Sequence, residues 1–190
     1  MGKSSNRSTE YFFTGNYFAD DDNDIDAIGF GGYIYARGGN DYITLGSIAA
    51  KVYTGTGNDT VVGGAAYLGI EDSTGHLTVK GGGAGYADID KSGDGDVLFS
   101  GAAGGVSLNH TGNHGELNVT GAAVYNEMIR KGLTGDVNFK GAGGYMLSQL
   151  QYSHNTTVRR AFDRLAHTEE YSRQELVNWK TKCFMRKFYT

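Results

Sequence analysis

From residue 75 onward the chain repeats itself every 20 residues. The units open "GHLTVKGGGAG", "GDVLFSGAAGG", "GELNVTGAAVY" and "GDVNFKGAGGY", led by Gly75, Gly95, Gly115 and Gly135. A constant interval of this kind constrains the fold more than any other feature. One such unit cannot bury its own apolar face, so neighbouring units must stack to make a continuous core. Each unit places an acidic residue or histidine before an apolar–x–apolar run: Leu77/Val79, Val97/Phe99, Leu117/Val119 and Val137/Phe139. Alternation with period two is the pattern of a half-buried strand. The small-residue segments that follow read as turns or places of close backbone approach. A second alternating run, such as Val106-x-Leu108, completes most units. Each unit thus makes about one rung of two short strands and two turns.

Residues 23–64 follow a shorter rule. "NDIDAIGFGGYIYARGG", "NDYITLGSIAAKVYTGTG" and "NDTVVGG" begin at Asn23, Asn40 and Asn58, at intervals of 17 and 18. Two nonapeptides make 18 residues, one turn of a parallel β-roll. The expected fold is therefore all-β: a parallel β-solenoid or β-roll of stacked 18- and 20-residue glycine-rich repeats. It divides into a leader or cap over 1–22, the repeats over 23–147 and a non-repeat tail over 148–190.

Composition agrees with this reading. The chain has 31 glycines and no proline among 190 residues. Proline lacks the N–H that a stacked strand must donate, and it is excluded from central strands. A lone cysteine, Cys183, allows no disulfide framework. The first residues carry neither a secretory apolar core nor, with Asn6 at the required Ser/Thr position, a myristoylation pattern. A net charge of −4 disfavours nucleic acid as a partner.

In a solenoid, equivalent turns lie about 4.8 Å apart. Aligned on the Asn-Asp dipeptide, Asp24, Asp41 and Asp59 form a ladder on one edge. Bare carboxylates so placed repel, and calcium takes carboxylate and backbone carbonyl oxygens together. These three aspartates are the candidate metal ligands, with Ca2+ as the ion; the bland alternative is Asx turns bonding their own backbone. A second column, His76, Asp96, Glu116 and Asp136, lacks the accompanying glycines and reads as a solvated acidic edge. His110 and His114 have HxxxH spacing, but they flank a turn and have no evident third ligand. The aromatic cluster Tyr11, Phe12, Phe13, Tyr17 and Phe18 suits either a cap on the first rung or a membrane interface. No constellation supports nucleophilic or general acid–base chemistry, so the expectation is a non-enzymatic module.

"TGTGNDTVV" (54–62) resembles the RTX nonapeptide Gly-Gly-x-Gly-x-Asp-x-apolar-x: Gly55, Gly57, Asp59 and Val61 match, and Thr54 replaces the first glycine. "ARGGNDYIT" (36–44) matches through Gly39, Asp41 and Ile43, while residues 45–53 do not match. The opening "MGKSSNRSTEYFFTGNY", both repeat types and their order are similar to the N-terminal glycine-rich repeat arm of multifunctional autoprocessing RTX (MARTX) toxins of Gram-negative bacteria, over roughly residues 1–145. The resemblance implies a secreted toxin whose repeat arms engage the host plasma membrane and help deliver effector domains. It also implies calcium ions as partners and the host cell membrane as the place of action. The effector and protease regions of that family have no counterpart here. The alternative is a calcium-stabilised structural or adhesin-type solenoid without membrane activity.

The pattern stops after Tyr145. All glycines lie at or before Gly144, and the charge inverts: 9 Lys+Arg against 17 Asp+Glu in residues 1–145, then 8 against 4 in 146–190. Val158, Phe162 and Leu165 suit one helical face, and Ser172-x-x-Glu175 resembles a capping box, which gives a helical cap. The competing reading is a shifted reading frame and a disordered, truncated end. Tyr125-Asn126 in one unit faces Tyr145-Met146 in the next, a change that one lost base produces. On that reading, restoring one base after codon 145 reveals a further "GxVxFxGAG" unit in the coding DNA.

Overall fold

The computed structural model describes residues 6–12, 15–63, 66–81, 85–101, 103–121, 123–131, 135–140, 145–151 and 158–161. Phe162, Leu165, Ser172, Glu175 and Cys183 lie outside them. Among the described residues there are fifteen strands and no helix. They are β1 (Asn6–Phe12), β2 (Asn16–Tyr17), β3 (Asn23–Tyr35), β4 (Tyr42–Gly55), β5 (Asp59–Gly63), β6 (Tyr67–Asp72), β7 (Leu77–Lys80) and β8 (Tyr86–Lys91), followed by β9 (Val97–Ser100), β10 (Ala103–His110), β11 (Leu117–Thr120), β12 (Ala123–Lys131), β13 (Val137–Lys140), β14 (Tyr145–Gln151) and β15 (Val158–Ala161).

Every pairing is parallel, and the order is β14-β12-β10-β8-β6-β4-β5-β7-β9-β11-β13-β15. The chain therefore winds as a two-walled solenoid. One wall stacks the first half of β4 on β5, β7, β9, β11, β13 and β15. The other stacks its second half on β6, β8, β10, β12 and β14. The early rungs differ from the later ones because β3 and β4 run around the corner as single long strands. The later rungs break there into two short strands.

Register follows the repeat lengths. Ile43 pairs with Val61, and Val61 with Val79, at intervals of 18. Val79 pairs with Phe99, Phe99 with Val119 and Val119 with Phe139, at intervals of 20. Leu77, Val79, Val97, Phe99, Leu117, Val119 and Val137 are buried in one continuous core, as their alternation predicts. Leu68, Ile70, Ala87, Ile89, Val106, Leu108 and Met128 meet them from the opposite wall.

The strand pattern continues past the predicted boundary at 147. β14 pairs with β12, and β15 pairs with β13 through Val137↔Val158. Val158 thus lies in a strand and not on the helical face expected of it. The polarity of Arg159 and Arg160 hides that strand from a pattern search.

Candidate functional site

The turn edge that joins the end of one rung to the start of the next carries the site. Asp41 and Asp59 occupy equivalent positions there and are both buried. One oxygen of each carboxylate closes the backbone of the rung before it. Asp41 Oδ1 accepts from the Asn23 amide at 2.9 Å and from Asn23 Nδ2 at 2.8 Å. Asp59 Oδ1 accepts from the Asp41 amide at 2.9 Å. The other oxygen, Oδ2, is buried and without a hydrogen-bond partner in both residues. These are therefore not plain Asx turns, because each carboxylate bonds an amide one rung away and leaves its second oxygen facing the interior.

Asp24 does not join them. It pairs with Tyr42, whereas Asn23 stands in the column of Asp41 and Asp59 and supplies a neutral amide. The Asn-Asp dipeptide misaligns the first rung by one residue, and one residue turns a side chain from the interior to the outside.

Burial pushes the Asp41 carboxyl up to about 6, against the pull of the two Asn23 hydrogen bonds, and the Asp22 charge adds to the rise. Burial likewise pushes Asp59 up to about 7; the Asp41 amide and Lys91 oppose this, and Asp41 and Asp72 add to it. Both values lie above the unfolded one, so the folded state holds these protons longer. Their stabilising contribution is complete below about pH 4 and is lost as pH rises through about 6 to 7. In chelator, the unfolding free energy from urea titrations should fall between pH 5 and pH 8, by an amount on the order of a few kcal/mol. The double substitution Asp41→Asn, Asp59→Asn should flatten that slope, and a slope that survives it would place its origin elsewhere.

The facing wall is also polar at this edge. Asp72, Lys91, His110 and Arg130 pair in register, and all are buried. The Lys91 ammonium lies 2.5 Å from Asp72 Oδ2 and donates to the Ser73 carbonyl at 2.9 Å. The Thr54 hydroxyl donates to the other Asp72 oxygen at 2.7 Å. The Arg130 guanidinium donates to His110 Nδ1 and to the Gly112 carbonyl, and reaches the Gly115 carbonyl at 3.1 Å. Burial, then the charges of Arg130 and Lys91, lower the His110 pKa to about 4, so its imidazole is neutral. The Gly95 carbonyl pulls the other way, but no hydrogen bond of normal geometry reaches His110 Nε2. His114 stands apart from His110, exposed and 3.0 Å from Asp94 Oδ2, so the HxxxH pair does not converge.

Sequence reasoning missed this column, although its signal was present. Asp72, Lys91, His110 and Arg130 each stand two residues beyond a buried apolar residue, at Ile70, Ile89, Leu108 and Met128. Strand parity therefore points them inward.

The outer ladder is longer than predicted. Asn40 N donates to Asp22 Oδ1, Asn58 N to Asn40 Oδ1 and His76 N to Asn58 Oδ1, at 2.8–3.1 Å. Asp96 N donates to His76 Nδ1 and Glu116 N to Asp96 Oδ1. The column of His76, Asp96 and Glu116 thus continues the asparagines of the shorter repeats, each side chain capping the amide of the next rung. Among the described residues no group of three or more His, Cys, Asp or Glu is arranged to hold a metal.

The opposite edge carries exposed apolar side chains among the described residues. Ile28, Phe30, Ile48, Tyr67 and Tyr86 are exposed there, Phe30 at 70%. Tyr17, Tyr35 and Tyr53 stack on successive rungs with ring centroids 4.4 and 4.5 Å apart. Of the leader cluster, Phe18 packs against the core and the Tyr17 ring is exposed. The side chains of Tyr11, Phe12 and Phe13 lie outside the described residues. No helix among the described residues is long and apolar enough to cross a membrane.

The chain is 69% identical over 115 residues, 60% of its length, to a multifunctional-autoprocessing repeats-in-toxin of Vibrio vulnificus. It has the same identity over the same length to one of Vibrio cholerae serotype O1. It spans 2% of the length of each of these relatives. No protein-family model matches the chain, and no solved structure matches it. Over the matched residues this similarity supports a MARTX-derived repeat region, and the chain folds as a β-solenoid.

Proposed function

We propose that the chain serves as a repeat arm of a secreted bacterial toxin, engaging the host plasma membrane and aiding delivery of effector domains carried elsewhere in such a toxin. The 69% identity to two toxins of this type carries the reading. The exposed edge of Ile28, Phe30, Ile48, Tyr67 and Tyr86 supports it, because aromatic and aliphatic side chains favour the membrane–water interface. The work of the arm is structural and adhesive, without catalysis. Vesicle flotation and erythrocyte association test it: the chain should rise with the lipid, and a chain left wholly in the soluble fraction would favour the adhesin-type structural module.

A calcium ion at the turn edge belongs to the same reading. The orphaned Oδ2 atoms of Asp41 and Asp59 suit two of the six to eight oxygens that calcium takes, and turn carbonyls would supply others. Asp24 contributes none. Titration calorimetry of the wild type against Asp59→Asn tests the ion. Heat of calcium binding in the wild type alone is the expected result, and none in either protein would remove calcium from the site.

A further inference from the structure

The interior of the turn edge changes sign along the stack. In the 18-residue rungs one wall carries the acids Asp41 and Asp59, and the facing wall has the small residues Ala36 and Thr54 and then the acid Asp72. In the 20-residue rungs the acid wall becomes Leu77, Val97, Leu117 and Val137, and the facing wall supplies Lys91 and Arg130 on either side of the neutral His110. We infer that Lys91 and Arg130 are tethered cations. They fill interior cation sites of the 20-residue rungs with the chain's own side chains, so that these rungs close without a metal ion. The position of the Lys91 ammonium is then a latent divalent-cation site.

Two instances of one geometry carry this. Lys91 reaches back 18 residues to the Ser73 carbonyl, and Arg130 reaches back 18 residues to the Gly112 carbonyl. Each places its positive group against turn carbonyls of the preceding rung. At Lys91 the donor set is a carboxylate oxygen at 2.5 Å and a carbonyl oxygen at 2.9 Å. Carboxylate and carbonyl together are the oxygens a hard cation selects. The Thr54 hydroxyl, on the other Asp72 oxygen, holds that carboxylate in place. Neither the ammonium nor the Asp72 side chain has any exposed surface, so removing the ammonium leaves a buried carboxylate that must take up either a proton or another cation.

Two substitutions separate this from an ordinary buried ion pair. Lys91→Ala removes the ammonium and opens room for an ion; Lys91→Met removes the charge and keeps the room filled. In EDTA both should melt lower than the wild type, by about 10 °C. Millimolar calcium chloride should restore much of that loss in Lys91→Ala and little in Lys91→Met, while sodium chloride of equal ionic strength restores neither. If Lys91→Ala is unresponsive to calcium, or if both variants recover equally, the latent site does not exist. The wild type gives a measurement that no folding defect can obscure. Amide hydrogen exchange in β9, β11 and β13, which do not touch the rungs of Asp41 and Asp59, should be the same in EDTA and in calcium. Loss of protection there on chelation would overturn the inference, because those rungs would then depend on a free metal.

Discussion

Gly95→Ala should unfold the solenoid or leave it barely stable, with a loss of at least about 4 kcal/mol. Gly95 has φ of 122°, a conformation that L side chains rarely adopt. A Cβ built there would overlap the carbonyl oxygen of Gly75 on the rung below, and the pattern is periodic. A Cβ at Gly57 would strike the Gly39 carbonyl, one at Gly75 the Gly57 carbonyl, one at Gly115 the Gly95 carbonyl and one at Gly135 the Gly115 carbonyl. The glycines that set the repeat are thus a single column in which each backbone rests on the next without room for a methyl group. The rung cannot rise to make room. Gly75 N donates to Asp94 O and Leu77 N to Asp96 O, both at 2.9 Å, and lifting the turn breaks these bonds together. Gly46→Ala is the control. A Cβ there meets nothing nearer than 3.8 Å, and its φ is not in the left-handed range. Urea denaturation followed by circular dichroism should show a collapse at Gly95 and a change within about 1 kcal/mol at Gly46. Equal midpoints for the two variants would mean that the column is not what fixes the stacking.

The same glycine column explains which parts of the structure the sequence made legible. Counting from the glycines recovers the true register, because the backbone permits one spacing at the turn and the side chains follow it. The interval from Gly39 to Gly57 to Gly75 is 18, and from Gly75 to Gly95 to Gly115 it is 20. Counting from the Asn-Asp dipeptide fails at the first rung, where the step is 17 and Asp21 stands in place of the glycine beneath Gly39. Aligning on that dipeptide is what puts Asp24 in register with Asp41, whereas the backbone pairs Asn23's column with it. The inward strand positions were legible because alternation has one solution when Val97 and Phe99 flank Leu98. The interior bases were not, because a charged side chain at an inward position reads first as an error of phase. Lys91 is explained only by Asp72, 19 residues earlier on the neighbouring strand, and no local window contains both.

The polar edge and the apolar centre of each rung therefore do different work. The edge decides register and partner charge; the centre supplies most of the stabilisation. Phe99→Ala is expected to cost about 3–5 kcal/mol. Phe99 is 1% exposed and pairs with Val79 below and Val119 above, at the middle of the stack. In a globular core the neighbours of a deleted ring collapse from several directions. Here the rungs above and below are pinned by their own ladders at Leu77↔Val97 and Val97↔Leu117, so the cavity persists. Because each rung touches only its neighbours, the defect also weakens the coupling between the two halves of the solenoid. The urea transition should broaden as well as shift, and hydrogen exchange should show β11 opening apart from β7. Leu98→Ala, one residue away and 42% exposed on the outer face, should stay within about 0.5 kcal/mol of the wild type. A Phe99→Ala protein as stable as Leu98→Ala would mean that Phe99 does not face the core. A large loss with an unbroadened transition would keep the core and remove the nearest-neighbour account of how it holds together.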